Sequence, residues 1–291
     1  MSNKGSSFMK NSSEKIRVAM VGCGRIAGTH IAAIEKLRDR LELVDLCDTN
    51  ATALERMCNK TGATGHNSLK SMLSSSQAEL VVLATPSGLH SGQTIQVAES
   101  GRHVMTEKPM ATRWHDGLRM VKACDDADVK LFVVKQNRMN DTLQLLKKTI
   151  EKRRFGRIYM VNLNVFWTRP QDYYDSAKWR GTWEFDGGAL MNQASHYVDL
   201  LDWLIGPVES VQAYTATLAR DIEVEDSAVM NIRWRSGALG SMNVTMLTHP
   251  KNFEGSITII GEKGTVRIGG VAVNQIEHWE FETPIDDDQL V

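Results

Sequence analysis

At 291 residues, with 42% hydrophobic and 24% charged side chains, the chain is long enough for two domains with sizeable cores and has the composition of a globular protein. Its formal net charge of −1 excludes broad electrostatic attraction to nucleic acid or to anionic membranes, and no apolar run approaches the ~20 residues of a membrane span. Cys23, Cys47, Cys58 and Cys124 show neither CxxC nor Cys/His ligand spacing, so no metal is expected and a reduced, cytoplasmic setting is.

Residues 1–15 are rich in Ser, Asn and Lys and are expected as a disordered tail rather than a signal peptide. A first strand at 16–21 then runs into Gly22-Cys23-Gly24-Arg25-Ile26-Ala27. Gly22, Gly24 and Ala27 occupy the three small-residue positions of a dinucleotide fingerprint. The first permits a tight turn, the second lets backbone approach a pyrophosphate, and the third lets the next helix pack against the strand. That helix opens with free N–H groups suited to phosphate. A lone glycine pattern is weak, and an ordinary strand–turn–helix is the alternative. The context nevertheless fits on both sides.

The second strand, 41–47, ends at Asp48, about 20 residues beyond the glycine turn, where an acidic side chain meets the adenine ribose. Thr49 and Asn50 bring no cation for a 2′-phosphate, so NAD is expected over NADP. A plain helix cap at Asp48 is the other reading, and both roles can coexist. Further strands at 79–84, 102–106 and 130–135 alternate with helical patterns such as 52–60 and 91–100. They predict a doubly wound parallel sheet, a Rossmann domain over 16–137. Thr85, Pro86, Ser87 and His90 follow the third of these five strands and should line the cofactor groove, unless they form only a turn before a helix. Glu107, Lys108 and Pro109 follow the fourth. Proline restricts Lys108 to an extended backbone and makes a cis bond accessible, which aims the lysine beside the nicotinamide. Gln136, after the last strand, completes the expected cofactor set.

Beyond 137 the texture changes. A helix at 139–152, a strand at 157–166, a polar aromatic loop and a helix near 188–205 precede strands at 208–218, 227–234, 238–246, 255–260, 264–269 and 275–282. Residues 138–291 therefore read as an α+β domain for substrate binding and oligomerisation, with a large open, mostly antiparallel sheet. On the helix near 188–205, Asn192 and His196 stand four residues apart and should share a face. Gly187 and Gly188 before it permit close backbone approach to a ligand. Histidine suits proton exchange near neutral pH, though taken alone His196 reads better as a core histidine.

The glycine turn, Glu107-Lys108-Pro109, and Gly187-Gly188 followed by Asn192 and His196 together resemble the Gfo/Idh/MocA oxidoreductase family over residues 16 to 282. The runs from Trp179 to Gly188 and from Met191 to Trp203 are similar to the branch of UDP-N-acetylglucosaminuronate 3-dehydrogenases of surface-polysaccharide synthesis. Many family members carry Asp where this chain has Asn192, and the departure fits that branch. The resemblance implies an NAD cofactor and oxidation of the C3 hydroxyl of a UDP-linked N-acetylated uronic acid. It also implies Lys108 and His196 as the catalytic pair, with the proton acceptor left open between them, and Asn192 on a substrate hydroxyl or on the histidine. In the aromatic loop, Arg169, Lys178 and Arg180 suit a diphosphate or carboxylate, while Tyr173, Tyr174 and Trp179 suit sugar or uracil rings. A solvated loop is the alternative for any one of them. Family members continue past the sheet with a further helical segment, so a chain stopping at Val291 is expected to be partial. A dimer or tetramer through the C-terminal sheet is expected. A dehydrogenase of a free polyol or monosaccharide, and a non-catalytic dinucleotide-sensing regulator, are the competing functions.

Overall fold

The structure, a computed structural model, describes residues 14–285 and 288. The chain divides into two compact units at Val134/Lys135.

In the first unit, strands β1 (Ile16–Val21), β2 (Leu41–Cys47), β3 (Thr64–His66), β4 (Leu80–Leu83), β5 (His103–Thr106) and β6 (Leu131–Val133) form one sheet in the order β3-β2-β1-β4-β5-β6. Every pairing is parallel. Period-two side-chain alternation with both faces covered explains the run of apolar residues from Val18 to Val21 in β1. Val18 and Met20 of β1 point into one core with Ala27, Ile31 and Ile34 of helix α1 (Ala27–Lys36). Ala19 and Val21 point into the opposite core, which holds Val97 and Ala98 of the helix at His90–Glu99. The order reverses between β1 and β4, and such a switch point opens a crevice beyond the strands' carboxyl ends. Strand β3 was not expected: its Thr-Gly-His carries no apolar signal, and it holds its place by pairing with β2 at Asp45 to Cys47.

The second unit has a seven-stranded sheet. Its strands are β7 (Ile158–Phe166), β8 (Val208–Ala216), β9 (Ser227–Trp234), β10 (Leu239–Thr245), β11 (Glu254–Gly261), β12 (Gly264–Gly269) and β13 (Gln275–Phe281). The order is β13-β12-β11-β7-β10-β9-β8. All neighbours are antiparallel except β7 and β10, so the mixed, mostly antiparallel sheet is as expected. Val161, Leu163 and Val165 of β7 turn inward with Met242, Val244, Ile257 and Ile259, against Leu143 and Leu146 of the helix at Asp141–Glu151. Their alternates Asn162 and Asn164 bond across the other face to Ser241 and Glu254. The segment expected as one helix near 188–205 is instead a π-helical turn (Ala189–Gln193), a short α-helix (Ser195–Leu200) and a second π-helical turn (Leu201–Ile205). The wider turns leave Asn192 and His196 on separate pieces joined at Ala194, both buried, rather than on one regular face. π-Turns concentrate at functional sites.

Candidate active site

The glycine turn is built by its neighbours. Gly22 has φ +101°, and a Cβ there would lie 2.6 Å from the carbonyl oxygen of Ala84, so the turn fits against the loop after β4 only without a side chain. A Cβ at Gly24 would meet nothing of the chain within 4 Å. The smallness of Gly24 thus serves no contact within the protein, which fits close approach of a pyrophosphate. Ile26, at the N-cap of helix α1, provides no side-chain cap, and Arg25 and Ile26 are exposed. The cradle therefore fits a dinucleotide.

Asp48, expected at a ribose, accepts two hydrogen bonds from the chain itself. Its Oδ2 accepts from Cys23 N at 2.6 Å and its Oδ1 from Asn50 N at 2.8 Å. The carboxylate locks the glycine turn to the end of β2. Thr49 beside it is exposed. The cap of the next helix is Asn50, whose side chain accepts from Ala53 N, so the capping role considered for Asp48 belongs to its neighbour. The Cys23 thiol is fully buried, and burial, reinforced by Asp48, pushes it up to about 12. This leaves the thiol protonated and packed in the core.

After β4, the Thr85 hydroxyl donates to Gln93 at 2.6 Å. Pro86 is half-buried and Ser87 is buried. His90, expected to line the groove, is 0% exposed, so its ring packs inside the protein and presents no surface there. Nδ1 lies 2.9 Å from the Pro109 carbonyl and Nε2 3.0 Å from that of Thr85, tying the loop after β4 to the loop after β5. Burial holds its pKa down, against the pull of those two carbonyls. The Lys108–Pro109 bond is cis. Glu107 takes His30 Nε2 at 2.8 Å on one oxygen and Lys108 N at 3.1 Å on the other. Burial opposes its ionisation, but His30 and the Lys108 N–H outweigh it and hold the carboxyl low. Lys108 thus leaves a braced strand end.

In the second unit, Gln136 is exposed on a 3-10 turn at Gln136–Met139. His196 is 6% exposed and sits in a held segment. Lys135 Nζ donates to Ser195 O at 3.1 Å, with burial lowering the lysine's pKa. Arg138 makes two 2.6 Å bonds to Asp199. Gly187 and Gly188 both have positive φ, and a Cβ at Gly188 would lie 2.2 Å from Glu225 Oε2. Gly188 therefore makes room for a buried carboxylate of the chain itself, not for the ligand expected there. Glu225 Oε1 accepts from Leu190 N at 2.8 Å. Its pKa is raised, chiefly by burial and further by Asp186. Asp186 is buried and bonds Gly181 N at 2.7 Å and the Asn192 amide.

The aromatic loop separates into anchored and available residues. Arg169 Nε donates to Gln193 at 2.9 Å, and its Nη1 to Thr168 O and Asn252, which makes it an internal brace. Tyr174 is buried with its phenol pushed up by burial, so it packs inward instead of offering its face. Tyr173 is the hub: its hydroxyl accepts from Gln193 at 2.9 Å, and the Arg169 and Arg180 guanidinium groups lie over its ring. Arg180 is clasped between Tyr173, at 4.2 Å, and Trp179, at 4.6 Å. Lys178 is exposed. Sequence reasoning missed Lys135, Asp186, Gln193 and Glu225. Asp186 directly before Gly187-Gly188 was visible, and so was Glu225-Asp226 at the mouth of an apolar strand. Among the described residues no cluster of His, Cys, Asp or Glu could hold a metal, and no helix is long and apolar enough to cross a membrane.

A family model described as an oxidoreductase family with an NAD-binding Rossmann fold matches residues 16–135, and the GFO/IDH/MocA C-terminal domain matches 143–267. The first unit is thus an NAD-binding Rossmann domain. The WlbA dehydrogenase of Chromobacterium violaceum, solved with NADH and UDP-GlcNAcA, is 70% identical with a TM-score of 0.94, over 94% of this chain and 80% of that one. The WlbA dehydrogenase of Bordetella pertussis, with the same ligands, is 68% identical with a TM-score of 0.94, over 95% and 84%. Levoglucosan dehydrogenase of Pseudarthrobacter phenanthrenivorans is 27% identical over 68% of this chain, which spans only 57% of that relative's length. With two family models matched in succession and a 70% identical relative covered over most of its length, the chain belongs to the Gfo/Idh/MocA oxidoreductase family.

Proposed function

We propose that this chain is an NAD-dependent dehydrogenase of UDP-GlcNAcA that oxidises the C3 hydroxyl to a ketone, in the supply of surface-polysaccharide precursors. The observation that carries the reading is the 70% identical dehydrogenase holding NADH and UDP-GlcNAcA, joined to the braced Lys108 and buried His196 of this chain. NAD, when bound along Gly22 to Ile26, Asp48 and Thr85 to Ser87, accepts the hydride from the sugar carbon. His196 receives the hydroxyl proton, and Lys108 donates a hydrogen bond to the same oxygen as negative charge develops on it. Arg180 and Lys178 meet the diphosphate, and Trp179 and Tyr173 offer ring faces. Arg169 supports them from behind.

The domain roles follow as 16–137 for NAD and 138–291 for the sugar and for self-association, in the cytoplasm. Tyr214 and Val229, cross-strand partners on β8 and β9, are 77% and 51% exposed, which favours a second copy covering that face as a dimer or tetramer. A monomer by light scattering at micromolar concentration would contradict that assembly. The function itself is tested by calorimetric titration of UDP onto the NAD-loaded protein. Binding is expected. Undetectable UDP binding with turnover of a free polyol would instead select an inositol-like dehydrogenase.

A further inference from the structure

We infer that Asp226 is a positioning residue for recognition of the UDP moiety: it folds the loop between β8 and β9, residues 217–226, into the support that holds both ends of the segment 172–180. The inference rests on the proposed reading for its kinetic consequences. Its geometry lies wholly within the second unit. Asp226 is 0% exposed, and a buried carboxylate needs donors to meet it. Consecutive backbone N–H groups do so: Leu218 N lies 3.0 Å from Oδ1 and 3.1 Å from Oδ2, while Ala219 N and Arg220 N donate to Oδ2 at 2.9 and 3.1 Å. Successive N–H groups converging in this way form an anion-binding nest, and here the anion is a side chain of the chain itself. The Thr217 hydroxyl donates to Val224 O at 2.7 Å and closes the loop.

The loop so shaped grips the neighbouring segment at both ends. Before the segment, Arg220 Nε donates to Arg169 O at 2.7 Å. Asp221 N donates to Gln171 Oε1 at 3.0 Å, and Gln171 Nε2 returns a bond to Asp221 O at 3.2 Å. After it, Glu223 N donates to Gly181 O at 2.9 Å, and Glu223 Oε2 accepts from Trp183 N at 3.1 Å. Gly181 has φ +72°, and a Cβ there would lie 2.6 Å from Ile222 Cγ2, so the loop packs directly against the residue that follows Arg180. Between the two sets of anchors stand Lys178 and Arg180, proposed for the diphosphate, and Tyr173 and Trp179, proposed to offer ring faces. Asp226 bonds the backbone of its own loop and acts on these four residues through it.

The test uses the full-length protein. Asp226→Asn keeps the size and one acceptor oxygen but sets an NH2 group against N–H donors. KM for UDP-GlcNAcA and Kd for UDP are expected to rise roughly tenfold, with kcat within about threefold of the unmutated value and NADH affinity unchanged. A general loss of folding would instead lower the active fraction, and with it the apparent kcat, at constant KM. Gln171→Ala and Glu223→Ala each cut one solvent-exposed anchor and should raise KM by about threefold with little change in melting temperature. Amide hydrogen exchange of peptides covering 171–183 needs no substrate, and it should quicken in Asp226→Asn. Unchanged KM in Asp226→Asn, or unchanged exchange over 171–183, overturns the inference. If Asp226→Asn does not melt cooperatively, the two anchor variants decide, and an unchanged KM in both overturns it. An unmutated protein that neither binds UDP nor oxidises UDP-GlcNAcA refutes the substrate reading alone, and the exchange measurement still decides whether Asp226 holds the segment.

Discussion

Replacing Asp48 by Ala should act on the cofactor in two separable ways. The first is discrimination. A ribose 2′-phosphate would bring negative charge against the carboxylate, and unit charges ~4 Å apart repel by about 4 kcal/mol at an effective dielectric near 20. Asp48 is only half-buried, so solvent screening brings this to about 2 kcal/mol, roughly thirtyfold in favour of NAD. Removing the carboxylate removes that preference. The second effect is on the turn itself. Cys23 N at 2.6 Å and Asn50 N at 2.8 Å both lose their acceptor, and hydrogen bonds to charged groups contribute about 1.5–3 kcal/mol each when shielded, less where water reaches them. Asp48→Ala should therefore weaken NAD itself by about tenfold or more, rather than merely admitting NADP. Asp48→Asn keeps one acceptor oxygen and should fall between the two. The assay is steady-state kcat/KM with each cofactor at saturating sugar nucleotide, backed by fluorescence titration of NADH. Equal efficiency with NADP in the unmutated protein, or full NAD affinity in Asp48→Ala, would refute the reasoning.

Lys108→Ala and His196→Ala should each lower kcat by about 10²–10⁴-fold with NAD affinity little changed. Retained turnover in His196→Ala would reassign the proton acceptor. Arg180→Ala should raise KM for the sugar nucleotide by roughly tenfold to a hundredfold with a smaller effect on kcat; Arg169→Ala, which removes bonds to Gln193, Thr168 and Asn252, should also lower the melting temperature. Glu225→Gln keeps an acceptor for Leu190 N and removes a buried charge. Because burial raises the folded-state pKa of Glu225, the unmutated protein loses stability as pH rises through that pKa, above the ordinary carboxylate range. The melting temperature of Glu225→Gln relative to the unmutated protein should therefore increase from pH 5 to pH 8; a constant offset would contradict the assignment.

The first unit was legible because its signals are local. Apolar strands, the small residues at 22, 24 and 27, and Asp48 at the next strand end each read from a few neighbouring positions. Strand β3 escaped because a three-residue edge strand is held by pairing with β2 rather than by its own side chains. In the second unit the sheet was legible from turn spacing, but the helix near 188–205 was not. Its apolar pattern suits a helix, and that pattern alone does not distinguish the π turns at Ala189–Gln193 and Leu201–Ile205 from α turns. The same limit applies in the loop: sequence offers Arg169, Tyr174 and Arg180 as equals, and only packing separates the buried Tyr174 and the bonded Arg169 from the ring-clasped Arg180. His90 was expected in the groove from its position after β4, whereas its ring is fully buried.

The most direct measurement supplies NAD and UDP-GlcNAcA carrying deuterium at C3 and asks where the label goes. The account predicts deuterated NADH, a slowed turnover relative to unlabelled sugar where chemistry limits the rate, and a 3-keto sugar nucleotide by mass. Unlabelled NADH from that substrate, or NADH formed only with a free polyol, would contradict it.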